Sequence, residues 1–501
     1  MIPDAGDLIV SYNWMMVGYF LALNVLNAGL VTIGWRDVKK YVKRRPLRDY
    51  KQVSRSPLSM PVTILVPSYN EALVIADSVR SLLRSRYAQF EVMVINDGST
   101  DGTMDELRRE FALTRVERIP RASIETQPEI GCYVSGTDPG LVVVDKVNGG
   151  KADALNVGLR FAAFPLVCAI DADTMLDPAA LSRIVWEFQA EPETVAAGGI
   201  VRIINGSKVE NGKLVSVATP KSLLANLQIM EYLRAFLSGR IAWSRLGMLL
   251  IISGAFGIFR RDALVEAGGW DPTTVGEDAE LVLRLHRVRR DSGQTCRIVF
   301  FPDPICWTEA PQSLKILIRQ RDRWQRGLIE MLVRHRSMLG RRKYGRVGTF
   351  AIPYFAVFEA FGPFIEVTGY LIFLLALALG LVSWPLALAF LGLSVSFGLV
   401  ISFTTLLMEE RAFRRYPSWG DLGKLVLVAI IENFGYRQIL AVARSRAIWT
   451  MWRVRGKHTW GDMDRAGFGN VEIPATQPGG VEPVELEADG SKISGNPKEY
   501  V

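Results

Sequence analysis

The stretch LVCAIDAD, residues 166–173, is a short apolar run that ends in two carboxylates, Asp171 and Asp173. Such a run is typical of a buried strand in a parallel sheet, and ligands of open α/β sheets bind beyond the carboxyl ends of the strands. We therefore expect both acids at the rim of a cleft, where they could hold a hard divalent cation and a diphosphate. Taken alone, the stretch fits equally well a turn at Asp173 and a helix cap at Asp177.

The composition indicates a membrane protein with more than one domain. The chain has 501 residues, of which 49% are hydrophobic, and a net charge of +8. The basic residues cluster beside apolar segments, which favours an anionic membrane surface over nucleic acid as a partner. The chain has three histidines and four cysteines without a C-x-x-C pair. This disfavours a zinc site or a histidine-based triad and indicates reduced thiols.

The first apolar segment, residues 14–35, is long enough to span a bilayer as a retained anchor. Acidic Asp4 and Asp7 precede it, and seven lysines and arginines follow it between positions 36 and 48. The positive-inside rule therefore places residues 1–13 outside the cytoplasm. The basic linker 36–57 and all that follows it up to the next span would be cytoplasmic.

Residues 58–311 alternate between apolar runs and amphipathic segments. Strands are predicted at 62–67, 90–95, 141–144 and 166–170, with helices at 71–84, 103–111 and 152–161. This alternation predicts an α/β domain with a mostly parallel, nucleotide-binding sheet. Residues 113–140 contain three prolines and are predicted to form loops with room for a hairpin.

The C-terminal part is predicted to return to the membrane. Residues 312–345 form an arginine-rich amphipathic helix that suits the membrane surface. The membrane region 346–445 has spans at 363–382 and 386–408, and a third apolar segment at 422–442 whose two flanks are both basic. A re-entrant or interfacial hairpin fits that segment better than a simple span. Residues 446–501 are predicted to be a basic and then disordered tail.

The third apolar segment contains Glu432, Asn433, Tyr436 and Arg437. Polar groups at this depth must face protein or a water-filled path, because their burial in lipid is costly. They are candidates for lining a path through the membrane. Hydrogen bonding between helices is the favoured explanation for each of them.

Four polar motifs occur in one order along the chain: Asp97 in NDGSTDG, Asp171-x-Asp173, Gly276-Glu277-Asp278 and Gln320-x-x-Arg323-Trp324. Each motif alone has a structural explanation, since Asp-Gly pairs form turns, acids favour helix N-termini, and arginine and tryptophan are common at membrane surfaces. The residues of the last motif share one helix face. Together, on an α/β domain between membrane segments, the four favour an enzyme site.

In these motifs the chain resembles the membrane-bound, processive family 2 glycosyltransferases, which include cellulose, chitin, hyaluronan and poly-β-1,6-N-acetylglucosamine synthases. The resemblance covers residues 60–342, and Q-x-x-R-W is its most specific part. It implies an α/β GT-A catalytic domain with transmembrane and interfacial helices. It also implies a multi-pass enzyme of the bacterial cytoplasmic (inner) membrane whose catalytic domain is cytoplasmic.

The resemblance implies a role for each matching residue. Asp278 would be the catalytic base, and Asp173 would bind Mg²⁺ or Mn²⁺. The donor nucleotide would contact Pro67, Asn70, Glu71, Asp97, Lys151, Asp171 and Asp173. The diphosphate and the acceptor would contact Ser253, Gly254, Glu277, Gln320, Arg323 and Trp324.

The implied reaction is inverting transfer of a sugar from a UDP-sugar, UDP-N-acetylglucosamine or a related hexose, to a growing β-linked polysaccharide that is exported through the membrane helices. A cation and Arg323 would stabilise the leaving diphosphate, and Asp278 would accept the proton of the acceptor hydroxyl. The alternatives are transfer of a single sugar to a lipid, and a non-catalytic sugar-nucleotide sensor. Gly-Glu-Asp differs from the Thr-Glu-Asp of cellulose-type and the Gly-Asp-Asp of hyaluronan-type members, so the donor sugar stays open, as does an accessory subunit.

Overall fold

The computed structural model describes residues 5–210, 213–414, 416 and 418–453. A ten-stranded sheet with helices on both faces forms the region that is predicted to be catalytic, called the catalytic region below, and long apolar helices precede and follow it. The expected disordered tail after Phe468 and the basic residues Arg455 and Lys457 lie outside the described residues.

The strands are β1 (Val62–Ser68), β2 (Phe90–Asp97), β3 (Leu113–Val116), β4 (Glu129–Ser135), β5 (Leu141–Lys146), β6 (Leu166–Ile170), β7 (Met175–Leu176), β8 (Thr194–Ile203), β9 (Lys208–Glu210), β10 (Lys213–Ser216), β11 (Phe256–Arg260) and β12 (Arg297–Thr308). The predicted strands at 62–67, 90–95, 141–144 and 166–170 are all present. Strands β3 and β4 form an antiparallel pair within residues 113–140, where a hairpin was considered.

The α-helices are α1 (Ala5–Arg44), α2 (Tyr50–Arg55), α3 (Ile75–Leu83), α4 (Thr103–Phe111), α5 (Lys151–Phe161), α6 (Ala180–Ala190), α7 (Leu223–Leu233), α8 (Ile241–Arg245), α9 (Arg261–Glu266), α10 (Glu277–Asp291), α11 (Leu314–Arg334), α12 (Ile352–Tyr354), α13 (Gly362–Ala378), α14 (Trp384–Ala412), α15 (Trp419–Ile431) and α16 (Tyr436–Arg453). A π-helical segment, Arg234–Arg240, joins α7 to α8.

The sheet has the order β3-β4-β5-β2-β1-β6-β11-β8-β12-β7 and is mixed. The central strands β5, β2, β1 and β6 are parallel, as predicted, whereas β11 runs antiparallel to both β6 and β8. The expected α/β class is confirmed, with a sheet that mixes parallel and antiparallel pairs. Strand β4 also runs antiparallel to β5, because their connection is short and a parallel return would need a crossover of a dozen residues or more.

The predicted linker 36–57 is helical over most of its length. Helix α1 continues past the apolar segment to Arg44 without a break, because the first proline after residue 5 is Pro46. Its Gly34 lies against the π-helical segment, where a Cβ atom would be 2.9 Å from the carbonyl oxygen of Ser238. The N-terminal helix therefore contacts the catalytic region directly.

Among the described residues, three helical stretches are long and apolar enough to cross a membrane: Ile9–Leu47, Val347–Ala378 and Phe390–Ala412. Helices α15 and α16 form a fourth candidate, bent by 59° at a short break. The break spans residues 432–435 and includes Gly435, whose φ is +94°. The third apolar segment is thus not one straight helix. Its two basic flanks had predicted a re-entrant or interfacial hairpin rather than a simple span.

The polar residues of that segment make hydrogen bonds between helices. Glu432 is fully buried and accepts a hydrogen bond of 2.9 Å from the Ser402 hydroxyl, and it forms an ion pair with Arg234 of the π-helical segment. The hydroxyl of Tyr436 donates to Glu231 of α7 over 2.8 Å. These contacts support the structural explanation and tie the membrane helices to the catalytic region.

Helix α5 packs closely against the sheet of the catalytic region. Strands β1 and β6 are buried along their whole length because helices cover both faces of the sheet. Gly158 of α5 faces this sheet, and a Cβ atom there would lie 2.7 Å from Leu65 Cδ2 and 3.1 Å from Ile95 Cδ1. Only a glycine lets the helix approach this closely.

We predict that Gly158→Val lowers the stability of the protein by about 1–3 kcal/mol, because the added methyl groups overpack the contact with β1 and β2. Gly423→Ala is the matched control, since nothing lies within 4 Å of a Cβ atom at that helical position. Thermal unfolding in detergent measures both variants. Equal melting temperatures of the two variants would contradict the close packing of α5 on β1 and β2.

Candidate active site

The candidate site lies at the carboxyl ends of β1, β2 and β6. Asp97 ends β2 and the two acids of Asp171-x-Asp173 follow β6 directly. The N-terminal ends of α5 and α10 point to the same edge and bring Lys151, Glu277 and Asp278. The parallel run of the central strands explains why residues so distant in sequence meet here.

Asp97 is buried and holds the turn that precedes α5. Its Oδ1 accepts a hydrogen bond of 2.9 Å from the amide of Gly149, and its Oδ2 accepts one of 2.7 Å from Gly150. Oδ1 also forms an ion pair with Lys146, whose side chain is fully buried. Asp97 therefore positions the turn from which Lys151 emerges.

Lys146 was missed in the sequence, although it is the last residue of β5 and follows the apolar run 141–144 after one residue. Its Nζ lies between two carboxylates, those of Asp97 and Asp153, with a distance of 2.8 Å to Asp153 Oδ2. Asp153 in turn accepts a hydrogen bond of 3.1 Å from the amide of Gln127. This buried three-charge group fixes the end of β2, the turn and the first turn of α5 as one unit.

The loop after β1 is tied to the loop after β2. Asn70 adopts the left-handed conformation with φ of +55°, which asparagine tolerates better than most residues. Its Oδ1 accepts a hydrogen bond of 2.8 Å from the amide of Thr100, and the amide of Glu71 donates to the Thr103 hydroxyl over 2.8 Å. Pro67 is buried in β1 just before this loop. The two loops thus form one wall of the site.

Lys151, Asp171, Gly254, Glu277 and Asp278 meet in one cluster. Lys151 Nζ is 2.5 Å from Asp171 Oδ1 and 3.4 Å from Glu277 Oε1. The amide of Gly254 donates a hydrogen bond of 2.8 Å to Asp278 Oδ2. A Cβ atom at position 254 would be 2.9 Å from the Lys151 nitrogen. The glycine is required because the lysine and the aspartate approach the backbone there.

The charges of this cluster do not balance within the protein. Burial opposes the charged form of Lys151, but Asp171, Glu277 and Asp278 outweigh it and raise the pKa of the lysine. Burial also raises the pKa of Glu277, and Lys151 offsets this only in part. Lys151 thus faces three carboxylates, and Arg240 is a further cation that interacts with Asp278, so the carboxylates outnumber the cations. Such a site is suited to a cationic group or a metal ion.

A pocket joins this cluster to an apolar floor. It is lined by polar groups of α5, α10 and the loop before β11, and by apolar side chains of α5, β11 and the loop before α10: Lys151, Ser253, Gly254, Glu277, Asp278, Leu155, Phe259 and Trp270. The three apolar side chains are almost fully buried and form the floor.

The two carboxylates after β6 could hold a hard cation only if a bound ligand supplied further oxygen atoms. Asp173 is buried and Asp171 is one-third exposed. In the described part of the chain, no three histidine, cysteine, aspartate or glutamate side chains are grouped to hold a metal ion. Oxygens of a bound diphosphate would have to complete the coordination, which is compatible with Mg²⁺ or Mn²⁺.

The Q-x-x-R-W residues on α11 form a second group beside the pocket. Trp324 is 45% exposed, and its ring lies 6.5 Å from that of Tyr232 and 4.2 Å from the guanidinium of Arg321. Arg321 is the buried arginine of this helix and pairs with Glu231 over 2.7 Å. The sequence pointed to Gln320 and Arg323 but not to Arg321, whose partner Glu231 lies ninety residues away.

Helices α10 and α11 touch at two glycines. A Cβ atom on Gly276 would be 2.9 Å from Gly327 Cα, and the same distance separates a Cβ atom on Gly327 from Gly276 Cα. Gly276 immediately precedes Glu277 and Asp278, and Gly327 lies one turn beyond Trp324. This backbone contact fixes the acids of the pocket relative to the exposed tryptophan.

We predict that Lys146→Met destabilises the protein by about 3–5 kcal/mol, because two buried carboxylates lose their counter-charge. Lys208→Met is the control, since its ion pair with Glu210 is mostly exposed and should contribute less than about 1 kcal/mol. Thermal unfolding in detergent compares the two. Similar effects of both changes would contradict a structural role of the buried group.

Comparison with known proteins agrees with this geometry. Residues 63–266 match the model of glycosyl transferase family 2, and residues 166–406 match glycosyl transferase family group 2. The poly-beta-1,6-N-acetyl-D-glucosamine synthase of Staphylococcus aureus (strain COL) is 31% identical over 276 residues, 54% of this chain and 56% of that protein. The synthase of Staphylococcus epidermidis is 29% identical over 296 residues, 59% of this chain and 61% of that protein.

The matches thus span little more than half the length of these curated relatives. Among solved structures, a mannosyltransferase from Pyrobaculum calidifontis in complex with GDP-Man and Mn²⁺ is similar, with a TM-score of 0.47 and 20% identity. It covers 83% of this chain and 99% of its own. The two family models together extend over residues 63–406 and include every motif of the site from Asp97 to Trp324. The chain therefore contains a domain that matches glycosyl transferase family 2 over residues 63–266.

Proposed function

We propose that the protein is an inverting polysaccharide synthase that transfers a sugar from a UDP-sugar, UDP-N-acetylglucosamine or a related hexose, to a growing β-linked polymer. The observation that carries this proposal is Asp278, a carboxylate held at the pocket beside Lys151 and backed by helix α11 with its exposed Trp324. The names of the Staphylococcus relatives support the same product class.

The donor would bind at the carboxyl ends of β1, β2 and β6. Lys151 and Arg323 would contact the diphosphate, and the loops that contain Asn70 and Asp97 would hold the nucleoside. Asp173, with Asp171, would hold Mg²⁺ or Mn²⁺. When bound, the cation would neutralise the charge that develops on the diphosphate as it leaves.

Asp278 would be the general base. Its Oδ2 is fixed by the amide of Gly254 and its Oδ1 by the amide of Ala279 over 2.8 Å. These contacts hold the carboxylate while it accepts the proton of the acceptor hydroxyl. One base without a covalent intermediate inverts the anomeric carbon, so an α-linked donor would give a β-linkage.

The acceptor end of the polymer would stack on Trp324. This tryptophan would lie between the pocket and the helices that can cross a membrane. We therefore place the catalytic region in the cytoplasm of a bacterium, attached to the inner membrane through several spans, with the polymer leaving between them. An accessory subunit is compatible with this arrangement. Transfer of one sugar to a lipid is the alternative, and the test below separates the two.

We predict that Asp278→Asn lowers the rate of UDP release by about 10²–10⁴-fold, the usual contribution of a general base, while UDP still binds. Asp262→Asn is the matched control, because Asp262 also lies at the start of a helix and accepts a hydrogen bond from the next amide. The assay uses the full chain in lipid nanodiscs with a panel of UDP-sugars and Mg²⁺ or Mn²⁺. A normal rate in the variant would exclude Asp278 as the base.

We predict that Trp324→Ala shortens the polymer, because the acceptor loses an aromatic face on which to stack. Trp419→Ala is the control, since Trp419 is even more exposed but begins α15, away from the site. The lengths of the products made by the wild type and both variants are compared on a gel. Unchanged long products would contradict the role of Trp324, and a single sugar on lipid in the wild type would favour the alternative function.

A further inference from the structure

The π-helical segment Arg234–Arg240 lies between the membrane helices and the site. At its beginning, Arg234 forms an ion pair with Glu432 and donates a hydrogen bond of 2.9 Å to the Ser402 hydroxyl. In its middle, the hydroxyl of Ser238 is 2.7 Å from that of Thr405. π-helical turns are rare and frequently occur at functional sites. The other end of the segment is Arg240.

The guanidinium of Arg240 packs on aromatic rings instead of pairing with an acid. Its Cζ lies 4.4 Å from the ring centre of Phe236 and 5.8 Å from that of Phe300, and the two rings are parallel. Its Nη1 is buried and has no hydrogen-bond partner among the residues that the structure describes. A buried donor without a partner is costly, so such groups call for an explanation.

Charged and polar groups of the site act on Arg240. Burial lowers the pKa of Arg240 to about 10, and Asp278 and Tyr232 oppose this effect. Asp278 also acts on Lys151. The carboxylate thus has two cationic side chains in its surroundings, one from α5 and one from the π-helical segment.

The aromatic rings around Arg240 extend to the exposed tryptophan. The ring of Tyr232 is 5.3 Å from Phe236, on which Arg240 packs, and 6.5 Å from Trp324. The guanidinium therefore belongs to an aromatic cluster that ends at the exposed Trp324 of α11. A planar group with free N–H donors suits vicinal hydroxyls or the carbonyl of an acetamido group.

We infer that Arg240 binds the acceptor sugar, donating hydrogen bonds from its buried guanidinium to the terminal residue of the polymer between Asp278 and Trp324. This inference rests on the proposed function. It adds a specificity-determining residue outside the four motifs. It also gives the π-helical segment a role, since that segment holds Arg240 at one end and contacts the membrane helices at the other.

The test is calorimetric titration of the full chain in nanodiscs with two probes, UDP and a pentasaccharide of β-1,6-linked N-acetylglucosamine. For Arg240→Met we expect the pentasaccharide to bind about tenfold or more weakly, as for loss of a charged hydrogen-bond donor, with UDP binding unchanged. Arg245→Met is the matched control, because Arg245 lies one turn further on and its side chain is 59% exposed.

Three results would overturn the inference: unchanged pentasaccharide binding, a loss of UDP binding instead, or a wild type that binds no pentasaccharide. If Arg240→Met does not fold, Arg240→Lys retains the charge and tests the same point, since it loses the planar fork. Absence of UDP release from every donor by the wild type would contradict the proposed function. In that case the titrations would still test whether Arg240 binds the pentasaccharide.

Discussion

The ion pairs of Lys146 with Asp97 and Asp153 are the interaction on which the site depends. Two carboxylates and an ammonium group are buried together at the end of the sheet, and breaking such a group is expensive because an uncompensated charge remains. The same Asp97 also accepts two backbone amides from the turn before α5. The position of Lys151, and with it the charge balance of the pocket, follows from this buried group.

A second constraint connects the pocket to the membrane. Gly276 and Gly327 bring the backbones of α10 and α11 into contact, and Gln325 of α11 accepts a hydrogen bond of 2.8 Å from Arg444 of α16. Arg202 of β8 forms a buried ion pair with Glu409 of α14. Buried polar contacts specify one arrangement more sharply than apolar packing does. The catalytic region and the apolar helices therefore form one unit along these contacts.

Such an arrangement is compatible with the proposed addition of sugars to a polymer at a membrane. Asp278, Lys151 and the acids that follow β6 lie on one side, and the exposed Trp324 of α11 lies on the other. The π-helical segment contacts the apolar helices through Arg234 and Ser238. The proposed coupling of elongation to export would need contacts of this kind, since a loosely tethered domain would not transmit a change in position.

The sequence by itself determined the α/β class, the central parallel strands, the apolar helices and the motif residues. These rest on local patterns, namely apolar runs, charge at strand ends and helical spacing. Only the tertiary structure decided which strands run antiparallel, that Lys146 neutralises Asp97, that Arg321 is the buried arginine of α11, and that Arg240 packs on Phe236 and Phe300. These features depend on contacts between residues far apart in sequence, such as Arg321 with Glu231. No local pattern encodes such a pairing, because either residue alone is compatible with a solvated surface.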